Sequence, residues 1–457
     1  MSDGPGPGRP PIVLPELAAP LRSDPSPGPL GALPYLLYDA LWLLAAVLGS
    51  PWLVWSALRR KGFTNMLRER LRTPRPRTNR PRLLVHGVSV GEIKGAVPLV
   101  RELAARHPDH EIVISATTDT GMQVAHSLFP EHTLVRFPID LSWVVRAFLR
   151  ALGPRCVILV ELEIWPNFLR ESNRAGIPIA VVNGRITDRS HARYRWFRHL
   201  LPEFARISLF CVQDESYARR FLDLGADPRR LVLTGNLKAD GLHVGRQDPG
   251  PELRRLIGPG RDQQVLVAGS THASEELAVV EAWRAQAPLA RLVLVPRHPP
   301  RCAALVEELR AAGVAVQRLT ELRAGTVAPD PCQPVIVDTI GELERVYALA
   351  DVVFVGGSLV PHGGQNVLEP AAQGLPVVFG PHMHNFRQEA RLLLDANAAV
   401  QLLDARKLSE ALGRLLRNAT LCARMGEAAL AAVERQKGAT ALTAAALEAT
   451  CLAKREP

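Results

Sequence analysis

The feature that most constrains this fold is an alternation of short apolar runs and amphipathic segments from residue 82 onward. Apolar runs of this kind are typical of strands that are buried on both faces, and the segments between them have helical spacing. Such alternation predicts parallel sheets with crossover helices. The pattern occurs twice, on either side of a stretch at 243–262 that is rich in glycine, proline and charge, where we place a linker. The sequence therefore predicts an α/β protein with two doubly wound, Rossmann-like domains, 82–245 and 246–457, whose strand-end loops face a cleft.

The composition agrees with a globular protein of more than one domain. The chain has 457 residues, of which 47% are hydrophobic, and this excludes low-complexity and wholly disordered classes. Its six cysteines are scattered, without a C-x-x-C pair. This spacing argues against a disulfide framework or a thiolate zinc site and suits a reducing compartment.

The region before the first strand has three parts of different composition. Residues 1–34 hold ten prolines and five glycines, which predicts a disordered tail. Residues 40–58 carry no charge over 19 positions, and a single helix of that length would reach about 28 Å, close to the bilayer core of about 30 Å. Pro51 would kink such a helix. Residues 59–82 contain ten basic residues and one acid, and so account for +9 of the net charge of +10.

This arrangement predicts a membrane anchor and a basic juxtamembrane segment over residues 35–81. The positive-inside rule then places everything after residue 59 in the cytoplasm, with residues 59–82 against an anionic membrane surface. The anchor either crosses the bilayer or lies in its plane. The alternative is a buried core helix of a soluble protein followed by a solvated basic linker. Nucleic-acid binding is disfavoured, because no recognition module accompanies the basic run.

Three strand-end loops of the first half carry charged groups. Glu92, at a helix start, suits either a favourable helix charge or a general base facing a bound hydroxyl. Glu161 and Glu163 alternate after a strand, so we expect them to point to opposite sides. Lys238 is either a surface lysine or a group that neutralises an anion. A further loop holds polar residues that are either solvated or bind phosphate or sugar oxygens: Asn183, Arg185 and Ser190.

Four loops of the second half have the composition of a nucleotide site. The turn at 268–276 offers free backbone N–H groups to phosphate, and Arg297 ends a strand where it can bind an anion. Glu342 lies at a helix start. The glycine-rich loop at 356–380 leads to a short helix, where Glu369 can accept bonds from ribose hydroxyls.

Other site types find little support. There is no D-x-D pair for a metal-bound sugar nucleotide and no G-x-S-x-G nucleophile elbow. His382 and His384 form an H-x-H that is ordinary in loops, so we predict no metal site.

Nine segments together resemble the bacterial 3-deoxy-D-manno-octulosonic acid (Kdo) transferases of lipopolysaccharide synthesis. The resemblance runs from about Tyr35 to the C-terminus, and its segments occur in the order found in that family: HGVSVGE, ELEIWPN, NGRITDRS, GNLKAD, GSTH, VPRHPPR, DTIGEL, VFVGGSLVPHGGQNVLEPAA and GPHMHNF. The resemblance implies a GT-B pair of Rossmann-like domains behind an N-terminal membrane-anchoring helix, the first domain binding the acceptor and the second the CMP-sugar.

The resemblance also implies roles for individual residues. Glu92 matches the family's general base, and Glu161 and Lys238 match residues that act on the transition state. The cytidine monophosphate site maps onto nine positions: Pro296, Arg297, Ile340, Gly341, Glu342, Asn366, Val367, Leu368 and Glu369.

The implied reaction is an inverting transfer of Kdo from CMP-Kdo to a lipid A precursor (lipid IVA) at the cytoplasmic face of the inner membrane. It needs no cofactor or metal, because cationic side chains and helix N-termini would stabilise the departing phosphate. One alternative is a GT-B hexosyltransferase or an epimerase that uses a uridine nucleotide. Another is an inactive scaffold that binds anionic lipid through residues 59–82, although it would not explain the acids at the strand ends.

Overall fold

The computed structural model describes residues 31–59, 63–74, 78–197, 203–260 and 262–453. Residues 1–30 of the predicted tail lie outside this part, as do four residues of the basic run: Arg60, Lys61, Arg75 and Arg77. The chain forms two compact units, Met1–Gly241 with Lys437–Pro457, and Leu242–Gln436.

The first unit is built on a parallel sheet of seven strands in the order β3-β2-β1-β4-β5-β6-β7. The strands are β1 (Arg82–Gly87), β2 (Glu111–Ala116), β3 (Thr133–Arg136), β4 (Pro154–Val160), β5 (Ile179–Gly184), β6 (Leu209–Val212) and β7 (Leu231–Leu233). The order reverses between β1 and β4, where His86 pairs with Leu159. In open α/β sheets, such a switch point is where the strand-end loops leave room for a ligand.

Helices cover both faces of this sheet. They are α1 (Leu33–Leu48), α2 (Ser50–Arg59), α3 (Phe63–Leu71), α4 (Val90–Gly95), α5 (Val97–Arg106), α6 (Asp119–Leu128), α7 (Ser142–Leu152), α8 (Pro166–Arg174), α9 (Asp188–Phe197), α10 (Glu215–Asp223) and α11 (Leu237–Asp240), with 3₁₀ turns at Glu203–Arg206 and Pro228–Arg230. Successive residues of β1 enter different hydrophobic clusters, Leu83 and Val85 one and Leu84 the other. The central strand is therefore buried on both faces, as its continuous apolar sequence predicts.

The second unit has another parallel sheet of seven strands, in the order β10-β11-β9-β8-β12-β13-β14. The strands are β8 (Val265–Thr271), β9 (Arg291–Pro296), β10 (Gln317–Arg318), β11 (Val335–Ile336), β12 (Val352–Val355), β13 (Val377–Phe379) and β14 (Ala399–Gln401). The order reverses between β8 and β12, which defines a second switch point. The predicted doubly wound α/β class is confirmed.

The helices of this unit alternate with its strands along the chain. They are α12 (Gly250–Ile257), α13 (Glu275–Gln286), α14 (Cys302–Ala311), α15 (Leu319–Ala324), α16 (Leu343–Tyr347), α17 (Leu368–Ala372), α18 (Arg387–Asp395), α19 (Leu408–Leu416) and α20 (Ala419–Arg435), with 3₁₀ turns at Pro299–Arg301 and Ala405–Lys407. Helix α12 lies inside the stretch where a linker was predicted. This part of the stretch belongs to the second unit instead, because Leu253, Leu256 and Ile257 are buried in its core.

The last helix, α21 (Ala439–Thr450), returns to the first unit. Its Ala444 and Leu447 join the hydrophobic cluster of β1 and β2, and Asp240 accepts bonds from the backbone N–H groups of Gly438 and Thr440. The predicted second domain, 246–457, therefore differs from the observed unit at both ends. Packing of its apolar face against α5 and β6 holds α21 in the first unit.

The predicted anchor forms two helices rather than one. Helix α1 ends at Leu48, Gly49 follows it, and Pro51 lies in the first turn of α2. In the part of the chain that the structure describes, no helix combines the length and apolar character needed to cross a bilayer. One face of α1 packs on the first unit through Tyr35 and Asp39, while large apolar side chains remain exposed on α1 and α2: Leu36, Leu37, Leu41, Leu43, Leu44, Val47, Leu48, Trp52 and Trp55.

Candidate functional site

The switch point of the first unit brings together two of the predicted strand-end groups, Glu161 and Lys238. The Lys238 ammonium lies 2.9 Å from Glu161 Oε1, although 77 residues separate them. The Arg185 guanidinium pairs with the other oxygen, Oε2, at 3.3 Å. This arrangement leaves a carboxylate held between two cations at the ends of β4, β5 and β7.

Glu161 holds this position in a backbone conformation that is unusual for a glutamate. Strand β4 ends at Val160, and Glu161 has a φ of 67°, in the left-handed region. Such strain outside glycine costs about 1–3 kcal/mol and concentrates at functional sites. Because the strand stops before Glu161, the predicted alternation of Glu161 and Glu163 on opposite strand faces is wrong.

Glu92 lies in the first turn of α4, where its backbone N–H bonds to the N-cap residue Ser89. Its Oε1 accepts a bond from Ser89 Oγ at 2.6 Å, and its Oε2 accepts from the Val88 N–H, also at 2.6 Å. This is a reciprocal capping arrangement. Burial nevertheless raises the pKa of Glu92, and the nearby charge of Glu161 adds to the rise. A carboxyl group with a raised pKa is a better proton acceptor than an exposed glutamate once it is ionised.

The strand-end groups of the first unit also pack near one another. Methylene carbons of Lys238 lie 3.4–3.5 Å from where a Cβ on Gly95 of α4 would sit. Glu163 completes a group of three acids: burial raises its pKa to about 8, with Glu92 and Glu161 contributing, while its Oε2 accepts a bond from Trp165 Nε1 at 2.9 Å. A pKa of about 8 leaves Glu163 mostly protonated at neutral pH, near the carboxyl groups of Glu92 and Glu161.

In the second unit, the predicted nucleotide-site residues lie at the ends of β9 and β11 and at the start of α17. Arg297 is exposed directly after Pro296 of β9, and its backbone N–H bonds to Thr271. Among the residues that the structure describes, no acid forms an ion pair with it. Its guanidinium is therefore available to an anionic ligand.

The other predicted positions differ in what they can offer a ligand. Ile340 is 88% exposed and Gly341 has a φ of 89°, whereas Glu342 is paired with Arg323 at 2.7 Å. Only main-chain groups of Val367 and Leu368 could reach a ligand, because both side chains are buried in the core.

Asn366 and Glu369 form a pair at the start of α17. The Asn366 amide donates to Glu369 Oε1 at 3.0 Å, and its own oxygen accepts from the Leu368 N–H at 3.1 Å. Asn366 thus caps the helix and also orients the carboxylate that the sequence assigned to ribose hydroxyls. This geometry is compatible with capping of the helix by Asn366 and with binding of ribose hydroxyls by Glu369.

Comparison with known proteins identifies the family. The model of the 3-deoxy-D-manno-octulosonic-acid transferase (kdotransferase) family matches residues 65–241. A 3-deoxy-D-manno-octulosonic acid transferase of Bordetella pertussis is 34% identical, over 80% of this chain and 86% of that protein. Another, of Haemophilus influenzae, is 32% identical, over 78% of this chain and 84% of that protein. The chain belongs to the 3-deoxy-D-manno-octulosonic acid transferase family. Members of this family are glycosyltransferases, so this chain is an enzyme of that class.

Solved structures agree with this assignment at the level of the fold. A glycosyltransferase from Rickettsia africae aligns with a TM-score of 0.56 at 13% identity, covering 81% of this chain and 98% of that one. At such low identity the likeness concerns the fold alone. The two Rossmann-like units of this Kdo transferase family member are those of the GT-B class.

The sequence analysis missed a buried carboxylate in the second unit of this transferase, that of Glu275. It is 1% exposed and accepts bonds from the backbone N–H groups of His272, Gly357, Ser358 and Leu359, at 2.6–3.0 Å. The N–H groups of the glycine-rich loop at 357–359 are therefore occupied by a protein carboxylate. The sequence could not indicate this, because Glu275 and Gly357 are 82 residues apart.

The structure also groups three histidines from separate motifs of this family. The ring of His272 stacks on that of His362, with centroids 4.3 Å apart, and meets that of His298 edge-on at 5.6 Å. Burial and the neighbouring His362 lower the pKa of His272. The neutral imidazole of His272, near Arg297, can donate or accept hydrogen bonds, which suits a polar ligand.

Among the residues described, one group of potential ligands is close enough to hold a metal ion. It comprises His107, Asp109 and His110. These residues precede β2 and so lie at the amino end of the sheet, whereas the acids follow the carboxyl ends. The group is therefore separate from the candidate site, and a metal-independent reaction stays a prediction.

Proposed function

We propose that this enzyme transfers Kdo from CMP-Kdo to a lipid A precursor of the lipid IVA type, with inversion at the anomeric carbon. The observation that carries the proposal is the cluster of Glu92, Glu161 and Lys238 at one switch point, in a chain that belongs to the Kdo transferase family. In this proposal the first unit supplies the base and the second unit supplies the nucleotide site.

Glu92 is the proposed general base. It takes the proton from the primary hydroxyl of the acceptor as that oxygen bonds to the anomeric carbon and the bond to CMP breaks. Its raised pKa and its partly open position at the strand end support this role. The bonds from Ser89 and Val88 fix the carboxylate, so little reorganisation is needed before the proton moves.

Cations are proposed to stabilise the charge that develops on the leaving CMP. Lys238, held by Glu161, provides a fixed cation in the first unit. Arg297 provides another in the second unit, where no acid among the described residues pairs with it. Such groups can neutralise a phosphate without a metal ion. The family resemblance and the orientation of Glu369 by Asn366 support a ribose and phosphate site at 366–369.

The proposed acceptor site lies in the first unit. A cavity of about 750 Å³ lies between α3, α6 and β3 and is lined by apolar and charged side chains, among them Met66, Arg72, Met122 and Arg136. Thr118, just before α6, donates to the carbonyl of Val88, next to the loop of Glu92. A phosphorylated, acylated sugar would find both kinds of contact there.

We propose that the enzyme works at the cytoplasmic face of the inner membrane. The exposed apolar side chains of α1 and α2 and the basic residues within 59–82 support attachment to an anionic lipid surface. Attachment would keep the enzyme beside an acceptor that cannot leave the membrane.

The test of this proposal offers the purified enzyme radiolabelled CMP-Kdo or UDP-sugars, with the lipid A precursor in mixed micelles. We expect label in the lipid with CMP-Kdo alone. Transfer from a UDP-sugar, with none from CMP-Kdo, would favour the uridine-nucleotide enzyme. Transfer from neither donor would favour the lipid-binding scaffold.

The role of Glu92 has its own prediction. Glu92→Ala removes the base, so we expect transfer to fall by about 100-fold or more while CMP binding, measured by calorimetry, is unchanged. Glu102→Ala, at an exposed glutamate of α5, is the matched control. Near wild-type turnover of Glu92→Ala would exclude Glu92 as the base.

A further inference from the structure

The N-terminal helix α1 is hydrogen-bonded directly to the segment that follows the acidic strand end. Asp39 of α1 is 6% exposed, and its Oδ1 accepts a bond from the side-chain amide of Asn167 at 2.8 Å. Asn167 is fully buried and ends the ELEIWPN motif that begins with Glu161. A residue near the apolar face of α1 therefore contacts the motif that carries two of the site's acids.

The same carboxylate also holds the start of α7. Ser142 donates to Asp39 twice, from its backbone N–H at 3.1 Å and from its hydroxyl at 2.6 Å. Asp39 thus accepts three bonds within the first unit. A buried carboxylate with three donors is a rigid attachment, because each partner would be left unsatisfied without it.

A second buried acid ties the same elements together. Asp140 accepts bonds from the backbone N–H groups of Asn167 and Phe168, at 3.2 and 2.8 Å, and thereby caps α8. The Tyr38 hydroxyl of α1 lies close enough to Asp140 for the charge of that carboxylate to raise the pKa of Tyr38, after the larger effect of burial. Both Tyr38 and Asp39 therefore act on the 167–168 turn from the same helix.

A short, packed segment connects Asn167 to the acids at the end of β4. Trp165 lies two residues before Asn167 and donates to Glu163, and its ring packs against Phe137 with centroids 5.6 Å apart. Phe137 in turn stacks on His86 at the end of β1, one strand away from Glu161. Movement of Asn167 would displace Trp165, and with it the acidic end of β4.

We propose that Asp39 is a positioning residue, which holds the 161–167 loop in its working geometry through Asn167. The inference rests on the proposed function, since it concerns how the acids used in that function are held in position. The helix whose exposed side chains suit a lipid surface then also sets the geometry of Glu161 and Glu163. Misplacement of a reacting group by about 1 Å can cost about 100-fold in rate.

The test compares two substitutions on the same face of α1. Asp39→Ala removes the bond to Asn167. Tyr35→Phe removes two other buried bonds of α1, to Glu203 at 2.5 Å and from Arg206 at 2.7 Å, and neither partner belongs to the 161–167 loop. Two readouts are used on the full chain: hydrogen–deuterium exchange of the 161–168 peptide, and kcat and KM for CMP-Kdo.

For Asp39→Ala we expect faster exchange at 161–168 and a kcat lowered by about 10-fold or more, with KM for CMP-Kdo within about twofold. Tyr35→Phe should leave both unchanged. Unaltered exchange in Asp39→Ala, or faster exchange with an unaltered kcat, would overturn the proposal. Equal effects of the two substitutions would also overturn it, since they would indicate general loosening of α1.

A variant with the two residues exchanged keeps the proposal testable if Asp39→Ala does not fold. In the double variant Asp39→Asn with Asn167→Asp, the amide of residue 39 can donate to the carboxylate of residue 167, so we expect kcat to recover relative to Asn167→Asp alone. No recovery, with both variants folded by circular dichroism, would contradict the role of this bond. If the wild type fails to transfer Kdo, the proposed function fails, while exchange at 161–168 still decides whether Asp39 holds the loop.

Discussion

At the scale of single residues, the acids of the first unit lie in contrasting surroundings. Glu161 is held between Lys238 and Arg185, whereas Glu163 is half-buried, has Trp165 as its donor and lies near two other carboxylates. Pairs of acids in contrasting environments are a common basis for dividing acid and base roles. The sequence predicted these positions but not their states, since it could not show which cations fold back onto which acid.

The raised pKa of Glu163 predicts a specific dependence of stability on pH. Between pH 4.5 and about 8, the unfolded chain ionises Glu163 while the folded chain keeps its proton, so this residue lowers the free energy of unfolding as pH rises. Glu163→Gln keeps the acceptor for Trp165 and removes the titration. We therefore expect the variant to be more stable than the wild type by about 1 kcal/mol or more at pH 8–9.

Urea unfolding of both proteins across that pH range measures the difference. Measurements near pH 4 serve as the internal control, because the side chains of Glu163 and of its Gln replacement are both neutral there and the two stabilities should converge. A stability difference that does not change with pH would contradict the raised pKa.

At the scale of elements, the strands were predictable and the loop contacts were not. Continuous apolar runs identified β1, β4, β8 and β12, since a strand buried on both faces needs such a run. The apolar run PVIVDT also indicated β11, whereas the two-residue strand β10 is too short to give a pattern of its own. The capping of the 357–359 loop by Glu275 is a contact across 82 residues, and local sequence carries no sign of it.

This cap predicts the effect of one substitution in α13. Glu275→Gln replaces an oxygen acceptor by an NH₂ group facing backbone N–H donors, so we expect a loss of stability of about 2–4 kcal/mol and weaker CMP binding. Glu281→Gln, at an exposed position of the same helix, is the control. Denaturant unfolding and calorimetry measure both effects, and a Glu275→Gln variant as stable as Glu281→Gln would show that the cap is dispensable.

At the scale of the whole molecule, the sequence predicted two Rossmann-like units but assigned the C-terminal helix to the wrong one. The pattern of α21 indicates that it is buried, since its apolar residues are closely spaced. The pattern does not indicate which element α21 packs against, because an alanine-rich helix face fits many partners. In the first unit, α21 packs against α5 and β6, and the Asp240 carboxylate accepts bonds from the N–H groups of Gly438 and Thr440 at its start.

Membership of the Kdo transferase family and the cluster of acids with Lys238 support one central claim, that the chain transfers Kdo to a lipid acceptor. The most direct test is mass spectrometry of the lipid recovered after incubating the purified enzyme with CMP-Kdo and a tetra-acylated lipid A precursor. We expect the mass of the lipid to increase by one or more whole Kdo residues, with release of CMP. Release of CMP with a lipid of unchanged mass, or no reaction under conditions where CMP binds, would contradict the claim.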